Sequence, residues 1–301
     1  MHKAFKSGYV ALIGAPNAGK STLLNRFLGQ KISITSRRPQ TTRHRILGIH
    51  SRPDAQLVYV DTPGMHVGGK KALNRYLNKT ADASMVGVDV VVWLKEKASW
   101  DDADQWVLNK IKDQSLPVIL VLNKIDRVDD KAGLMPLVEV LSQKYPFTAI
   151  VPVSALHGTQ VDELEEVITK CLPEGEALFP EDQITDRSER FIAAEVIREK
   201  LIRRLGQEIP HALSIRIEQF KVEGALTRIH AEIWVEREGQ KNIVIGRKGI
   251  VLKEVGAEAR HEIESMLESK VYLNLWVKVK KGWSNSEQAM LQLGYLDSGS
   301  T

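Results

Sequence analysis

The sequence contains very little cysteine and no long apolar segment. Cys171 is the single cysteine in 301 residues, which excludes a disulfide framework and is typical of a protein from a reducing compartment. No apolar run approaches the roughly 20 residues that span a bilayer, and no secretory signal is recognisable after Met1. We therefore expect a cytoplasmic protein without a transmembrane segment.

The sequence also lacks a large net charge, internal repeats and low-complexity runs. The formal net charge is +4 at pH 7, but it is unevenly distributed. Residues 1–60 contain ten lysines and arginines against one acid, whereas residues 101–180 contain seven bases against fourteen acids. This distribution indicates that a polyanionic partner would bind locally. The chain is long enough for two domains, each with its own core.

A glycine-rich octapeptide near the start of the chain carries the strongest signal. It fits the phosphate-binding pattern G-x-x-x-x-G-K-[ST] and lies between a predicted strand at Tyr9–Ile13 and a predicted helix from Thr22. Its glycines allow close backbone approach to phosphates, Lys20 supplies a positive charge, and Ser21 supplies a metal-binding hydroxyl. A chance glycine-rich turn is the alternative interpretation. The predicted phosphate-binding residues are Gly14, Ala15, Pro16, Asn17, Ala18, Gly19, Lys20, Ser21 and Thr22.

A polar loop with four arginines follows at 37–45. We predict that Thr42 in this loop contacts Mg²⁺ and the γ-phosphate, with Thr41 as the near alternative, so that the loop would become ordered only with a triphosphate. Without the neighbouring motifs, the segment would be interpreted as a solvated basic loop.

A D-x-x-G motif follows the next predicted strand, Gln56–Val60. Its aspartate would hold Mg²⁺ through water, and its glycine amide would donate a hydrogen bond to the γ-phosphate. The motif alone is common, but its distance from the glycine-rich loop makes it specific. The motif residues are Asp61, Thr62, Pro63 and Gly64. The predicted metal site consists of Ser21, Thr42 and Asp61, and the predicted catalytic residues are Lys20, Thr42 and Gly64.

The segments after two later strands predict which base is bound. The strand predicted at Pro117–Leu122 runs into an N-K-x-D motif, whose Asp126 carboxylate would accept hydrogen bonds from guanine N1–H and the exocyclic amine. Adenine would leave this carboxylate unpaired, because it has an acceptor at N1 and lacks that amine. The strand at Ala149–Val153 then leads to backbone groups that would meet guanine O6. The predicted base-recognition residues are Asn123, Lys124, Asp126, Ser154, Ala155 and Leu156.

In this order, the motifs resemble those of the Era/TrmE class of P-loop GTPases, over roughly residues 8–172. The class pattern Gln-Thr-Thr-Arg occurs at 40–43, and its Pro-Asn pair at Pro16 and Asn17. The resemblance implies GTP and GDP as ligands, Mg²⁺ as a cofactor, and K⁺ at Asn17 in place of an arginine finger. Ras-like relatives have a glutamine after D-x-x-G. This chain has Met65 there, so the attacking water must be positioned in another way.

A different pattern begins after a linker near residue 180. An amphipathic helix predicted at Val161–Leu172 closes the first domain, and a break rich in proline, glycine and glutamate follows it. The remainder predicts a helix, two strands, two helices and a strand. We therefore predict an α/β P-loop GTPase domain with a doubly wound sheet at 1–179, followed by an α+β domain at 180–301.

A GxxG tetrapeptide lies between the two adjacent helices predicted in this second domain. With the order of elements, it resembles type II KH domains, in which such a loop lets a nucleic-acid backbone approach closely. A tight turn between two core helices is the alternative interpretation of the tetrapeptide alone. Trp234 and Trp276 are expected to pack rather than to stack on bases. The predicted RNA-binding residues are Val244, Ile245, Gly246, Arg247, Lys248, Gly249, Ile250 and Lys253.

Together the two domains resemble a bacterial family of ribosome-assembly GTPases along essentially the whole chain. The resemblance implies binding to the 3′ end of 16S ribosomal RNA and to the 30S subunit, with RNA binding coupled to the GTP state and no DNA partner. It also implies a monomer and a weak peripheral association with the inner membrane.

Two other functions would use parts of the same pattern. A GTPase of tRNA modification would carry an additional helical domain and a catalytic cysteine, whereas Cys171 lies on the apolar face of a predicted helix. A membrane-remodelling or signalling GTPase would use its second domain to bind protein.

Overall fold

The computed structural model describes residues 4–36, 38, 41–64, 72–96, 99–128, 133–205 and 213–295. Met65, where Ras-like relatives have a glutamine, and Gln40 of the loop motif lie outside these residues. The chain divides into two compact units. The first contains residues 1–35, 42–68 and 77–186, and the second contains 36–41, 69–76 and 187–301.

The first unit is built on a six-stranded mixed sheet. The strands are β1 Lys6–Gly14, β2 Ile46–Arg52, β3 Ala55–Asp61, β4 Val90–Lys95, β5 Val118–Asn123 and β6 Ala149–Val153. Their order across the sheet is β2-β3-β1-β4-β5-β6. Neighbours pair in parallel except β2, which is antiparallel to β3. The carboxyl ends of β1, β3, β5 and β6 therefore meet at one edge of the sheet, where ligands bind in open α/β folds.

The central strands β4 and β5 are completely buried, which explains why they read as nearly continuous apolar runs. The helices in this half of the chain are α1 Lys20–Leu28, α2 Ala72–Ala83, α3 Asp102–Ile111, α4 Leu134–Ser142 and α5 Val161–Cys171. Helix α1 begins directly after the glycine-rich loop and ends at Gly29, whose φ of 66° is the left-handed conformation that glycine adopts easily.

Helices α2 and α4 are not among the elements predicted from the sequence. The sequence of α4 contains two valines and Pro136, which argue against a helix, but Pro136 lies in the first turn, where its missing N–H is tolerated. In α2, the buried residues Leu73, Leu77 and Ala81 recur at helical spacing. That spacing is a signal from which α2 could have been predicted.

From its first helix to its last strand, the second unit has the order of elements that the sequence predicts, and a short helix follows. Its elements are α6 Glu189–Arg204, β7 Leu213–Glu223, β8 Leu226–Val235, α7 Glu238–Ile245, α8 Ile250–Leu267, β9 Lys270–Val279 and α9 Glu287–Gln292. Strand β8 lies between β7, which is antiparallel to it, and β9, which is parallel to it. Helix α6 begins after Ser188, whose hydroxyl accepts a hydrogen bond from the amide of Phe191 at 3.3 Å.

The two faces of this three-stranded sheet differ in their surroundings. Inward side chains such as Ile215, Ile229 and Ile233 form one core with residues of α6 and α8. Trp234 lies on the opposite face and is buried against a second cluster that includes Trp283, as predicted. Trp276 is on that face too but is 51% exposed. The prediction that Trp276 packs is therefore wrong, because strand alternation turns it away from α6 and α8 and it is not among the described residues of the cluster around Trp234.

The end of the first unit continues past the predicted linker. The amide of Ile49 donates to the carbonyl of Ile184 at 2.9 Å, and the amide of Leu47 donates to Asp186 Oδ1 at 2.9 Å. These bonds to β2 explain why the structural division falls at Asp186, later in the chain than the sequence-based boundary. Among the described residues, no helix is both long enough and apolar enough to cross a membrane.

Candidate functional site

The loop after β1 encloses a lysine amine. Lys20 Nζ donates hydrogen bonds to the carbonyls of Gly14 and Ala15, each at 3.0 Å, and the side chain is buried. Burial lowers the pKa of Lys20 to about 8, and the nearby charge of Asp61 offsets part of that shift. Because a buried ammonium is stabilised by a negative charge, this position favours an anionic ligand such as phosphate.

The glycines of the two phosphate motifs occupy positions where no side chain fits. A Cβ atom on Gly19 (φ 103°) would lie 2.1 Å from Asn123 Nδ2, and one on Gly64 would lie 2.7 Å from the Cα atom of Pro16. The hydroxyl of Thr62, in the D-x-x-G motif, donates a hydrogen bond to the carbonyl of Leu12 on β1 at 3.0 Å. The D-x-x-G segment is therefore packed directly against the glycine-rich loop.

A buried carboxylate at the end of β3 collects hydroxyl groups from three segments. Asp61 Oδ2 accepts hydrogen bonds from Ser21 Oγ at 2.7 Å and from Ser33 Oγ at 2.8 Å, and Ser21 Oγ lies 2.8 Å from Thr42 Oγ1. Asp61 Oδ1 is buried and has no hydrogen-bond partner among the described residues. Burial raises the pKa of Asp61, and Lys20 partly opposes that shift. The predicted metal residues are thus together, with Ser33 as an addition that the sequence did not indicate.

The structure separates the two threonines that the sequence left as alternatives. The hydroxyl of Thr41 donates to the carbonyl of Arg38 at 2.6 Å and lies 3.2 Å from the hydroxyl of Ser36. Only Thr42 of this pair lies beside Ser21. The geometry therefore favours Thr42 as the residue at the metal position.

One asparagine connects the phosphate loop to the base-recognition segments. Asn123 Nδ2 donates to the carbonyl of Ala18 at 2.8 Å. Its Oδ1 accepts from the amides of Lys124 at 2.8 Å and Ala155 at 3.0 Å. The buried Asn123 side chain is thus bonded to the phosphate loop, to the N-K-x-D segment and to the segment after β6. Asn123 is therefore a positioning residue.

The carboxylate expected to recognise the base is held at an accessible position. Asp126 Oδ1 accepts a hydrogen bond from Ser154 Oγ at 2.5 Å, and this bond holds the pKa of Asp126 below its usual value. The amides of Ser154 and Ala155 already donate to Thr159 and Asn123, so a contact of this backbone with guanine O6 remains a prediction. Leu156 is 61% exposed.

Arg26 of α1 supports the base-recognition loop, and no motif in the sequence points to it. Its Nε atom donates to the carbonyl of Ala155 at 3.3 Å, and its Nη2 atom donates to the carbonyl of Leu156. An arginine on the polar side of a helix has no distinctive sequence signal, so this contact could be found only in the structure.

In the second unit, the GxxG turn lies beside a groove. Helix α7 ends at Gly246 (φ 74°), and α8 begins after Gly249, whose φ of 77° favours glycine and whose Cα position faces open space. Arg247 and Lys248 between them are exposed. The groove has a volume of about 400 Å³. Its lining residues are Gly249, Leu252, Lys253, Gly256, Ala257, Arg260, Leu273 and Leu275.

The predicted RNA-binding residues have different places in this geometry. Gly249 and Lys253 line the groove, and Ile250 is 54% exposed beside the turn. Val244 is completely buried in the core of the unit, so the prediction that its side chain contacts RNA is wrong. Ile245 is half-buried. The walls come instead from small residues of α8 and leucines of β9, which sequence analysis did not single out.

Family models match both halves of the chain. A model described as "50S ribosome-binding GTPase" matches residues 9–124, and a KH domain model matches residues 208–284. The GTPase Era of Pseudomonas aeruginosa is 54% identical over 292 residues, covering 97% of this chain and 96% of that protein. GTPase Era of Pseudomonas fluorescens is 55% identical over 294 residues, covering 98% of each chain.

Two solved structures share the whole architecture. One is a crystal structure of Era in complex with MgGDPNP and nucleotides 1506–1542 of 16S ribosomal RNA, and the other is an Aquifex aeolicus Era variant bound to GDP and AlF4⁻. Each has a TM-score of 0.94 and 42% sequence identity, and each comparison covers 97% of this chain and all of the other. With the P-loop, the guanine-recognition motif and the GxxG turn in their expected places, this near-complete similarity shows that the chain belongs to the Era family of GTPases.

Proposed function

We propose that this protein is a GTP-hydrolysing switch that binds the 3′ end of 16S ribosomal RNA and acts in assembly of the 30S subunit. The similarity to a complex that contains both MgGDPNP and this RNA region, over 97% of the chain, carries the proposal. The description of the family model that matches residues 9–124 names the 50S subunit instead. The RNA in the complex belongs to the small subunit and is bound to a relative that matches both units, so we favour the 30S subunit.

The nucleotide ligands in this proposal are GTP and GDP, with Mg²⁺ at the Asp61 cluster. Asp61 Oδ1 is buried and has no hydrogen-bond partner among the described residues. Asp61 Oδ2 accepts from Ser21, whose hydroxyl lies beside that of Thr42. This oxygen-rich cluster fits a hard cation, because Mg²⁺ prefers oxygen ligands. Ser21, Thr42 and Asp61 would hold the ion. The bound ion would neutralise charge on the β- and γ-phosphates.

The residues of the chain contribute mainly by position and charge. Lys20, at the base of the glycine-rich loop, would stay protonated against the β- and γ-phosphates. The amide of Gly64 would donate to the γ-phosphate, since the segment packs against Pro16 with no side chain between them. Donors that are fixed before reaction stabilise the developing charge without reorganisation. K⁺ at Asn17, which itself has a left-handed backbone (φ 65°), remains a prediction from the resemblance.

RNA binding coupled to the GTP state is supported by the path of the chain. The chain passes from the second unit to the first between Thr41 and Thr42. The carbonyl of Thr41 accepts a hydrogen bond from Arg198 of α6, whereas the hydroxyl of Thr42 lies beside Ser21. Movement of Thr42 with the γ-phosphate would therefore act directly on a residue that is bonded to α6.

Several further expectations accompany the proposal. The functional domains are proposed as residues 1–179 and 180–301. We also predict that the protein is a cytoplasmic monomer. A fraction of it would associate peripherally with the inner membrane, and it would have no DNA partner. A GTPase whose second domain binds protein is the competing function, and the RNA-binding variants described below separate the two.

The guanine assignment predicts the effect of Asp126→Asn. The amide would donate where the carboxylate accepts, so affinity for GTP should fall roughly 100-fold and xanthosine triphosphate should become a ligand. Asp113→Asn, which changes an exposed carboxylate on the surface, is the matched control. Titration calorimetry with both nucleotides measures the effect. Unchanged GTP affinity in Asp126→Asn would contradict the assignment.

The lowered pKa of Lys20 predicts proton uptake when GDP binds. Without nucleotide the amine titrates near pH 8, and bound phosphates should raise that value, so uptake occurs above about pH 8 and is small at pH 7. At pH 8.5 we expect more than about half a proton per GDP. Calorimetry in two buffers of different ionisation enthalpy measures it, with Lys20→Arg as the control that stays charged. Equal uptake by the control would refute the assignment to Lys20.

The KH assignment predicts that charge reversal at the GxxG turn separates the two activities. Arg247→Glu with Lys248→Glu should lower affinity for the 16S fragment at least tenfold, since two phosphate contacts are lost, and should leave GTP turnover unchanged. A second variant, Gly246→Asp with Gly249→Asp, changes the backbone of the same turn and should abolish RNA binding.

The control for the charge reversal is Lys112→Glu with Lys144→Glu, which makes the same change in net charge at exposed positions of the first unit. Filter binding and phosphate release measure the two activities. If the turn variants bind RNA as well as the control does, the second unit has another role and the protein-binding function is favoured.

A further inference from the structure

The outer face of the β7-β8-β9 sheet, opposite α6 and α8, carries exposed aromatic rings. Tyr272 is 45% exposed and Trp276 is 51% exposed. His230 on the neighbouring strand lies between them, with ring centroids 6.0 Å from Tyr272 and 5.8 Å from Trp276. Strand alternation places all three on one side of the sheet. We call these three residues the aromatic face.

Basic side chains surround the aromatic face. The guanidinium of Arg228 lies 5.5 Å from the ring centroid of Tyr272. The basic residues on or beside this side of the sheet are Arg216, Lys221, Arg228, Lys270 and Lys278, and the acidic ones are Glu218, Glu223 and Glu232. The basic residues are in excess, so the surface attracts a polyanion.

The carboxylates on this side of the sheet hold the basic side chains in place. Glu232, which is buried, accepts from Lys278 at 2.5 Å and lies 3.5 Å from Arg216. Glu223 pairs with Arg228 at 2.7 Å and with Lys221 at 2.9 Å. The basic groups are therefore already oriented beside the rings, which lowers the entropy cost of binding a ligand there.

We propose that the aromatic face is a second RNA-binding surface, on which unpaired bases stack against Trp276, His230 and Tyr272. This inference rests on the proposed RNA-binding function and adds a site to it. Aromatic side chains on an exposed sheet are a recurrent platform for unpaired bases, because every base has a π-face. Tyr272 and Trp276 are about 13 Å apart along β9, which is enough for more than one base.

Strand β9 connects the aromatic face to the groove beside the GxxG turn. Leu273 and Leu275 line the groove, whereas Tyr272 and Trp276 alternate with them and point to the other side of the sheet. Strand β9 is at the edge of the described sheet. An RNA strand leaving the groove therefore has only one strand edge to cross before it reaches the aromatic face.

A protein is the competing occupant of this surface. Protein interfaces have an apolar centre that is depleted of charge. Here the centre is the imidazole of His230 beside Asn274, which are register partners, and basic groups stand on both sides. This composition favours a nucleic acid.

The test compares RNA fragments of different length on the full chain with a non-hydrolysable GTP analogue. The probes are nucleotides 1506–1542 of 16S RNA, the region bound in the Era complex, and fragments shortened stepwise from either end. The variant is Tyr272→Ala with Trp276→Ala, and the matched control is Tyr272→Phe with Trp276→Phe, which keeps both rings. Arg247→Glu with Lys248→Glu reports on the GxxG turn independently.

The alanine variant should bind the full fragment roughly tenfold more weakly than wild type, and the phenylalanine control should bind it nearly normally. The shortest fragment that wild type still binds should bind all three proteins equally, which shows that the second unit of the variant is folded. GTP turnover, which the first unit performs, should be unchanged. RNA substituted with 4-thiouridine should form crosslinks to residues 270–278 of wild type.

Three results would overturn the inference. If the alanine variant binds every fragment like wild type while the GxxG variant loses RNA, the groove is the RNA site and the aromatic face is not. If the alanine variant binds free RNA normally but binds whole 30S subunits more weakly, the face binds protein. If wild type binds none of the fragments, the proposed RNA function fails, and this inference fails with it.

Discussion

A buried carboxylate with an incomplete set of partners is the constraint on which the nucleotide site depends. Asp61 is fully buried at the end of β3, with hydroxyl donors on one oxygen and none on the other among the described residues. Burying a charge is costly unless it is paired. The pKa of Asp61 is accordingly raised and that of Lys20 lowered, so both groups are displaced towards neutrality. Bound phosphate would stabilise the charged form of Lys20, and a bound divalent cation would stabilise the charged form of Asp61. The two motifs therefore form one site.

The second unit uses a single strand for two different environments. Side chains of β9 alternate between the groove beside the GxxG turn and the outer face of the sheet. Helices α6 and α8 cover the inner side, while the described residues that cover the outer side are those of the cluster around Trp234. The rings of Tyr272 and Trp276 on this side are about half exposed. Binding of a partner would remove their apolar surface from water.

The structural features that depend on neighbouring residues in the chain were predictable from the sequence. Short glycine-containing motifs place Gly19 and Gly64 after apolar strands and Gly246 between two helices, at positions where a Cβ atom would collide with neighbouring atoms. The contacts that depend on distant segments were not predictable. Ser33 reaches Asp61, and Arg26 reaches the loop at Ala155, from positions with no periodicity or motif. Val244 and Trp276 were misplaced for a related reason: a residue type does not reveal which side of an element the tertiary structure will cover.

The most direct test of the central claim is the affinity of the full chain for nucleotides 1506–1542 of 16S RNA, measured in parallel with a non-hydrolysable GTP analogue and with GDP. The account predicts tighter binding with the analogue, and binding that weakens as salt is added, because Thr42 at the nucleotide site and Thr41 bonded to α6 are adjacent in the chain. Equal affinity in the two nucleotide states would contradict the coupling.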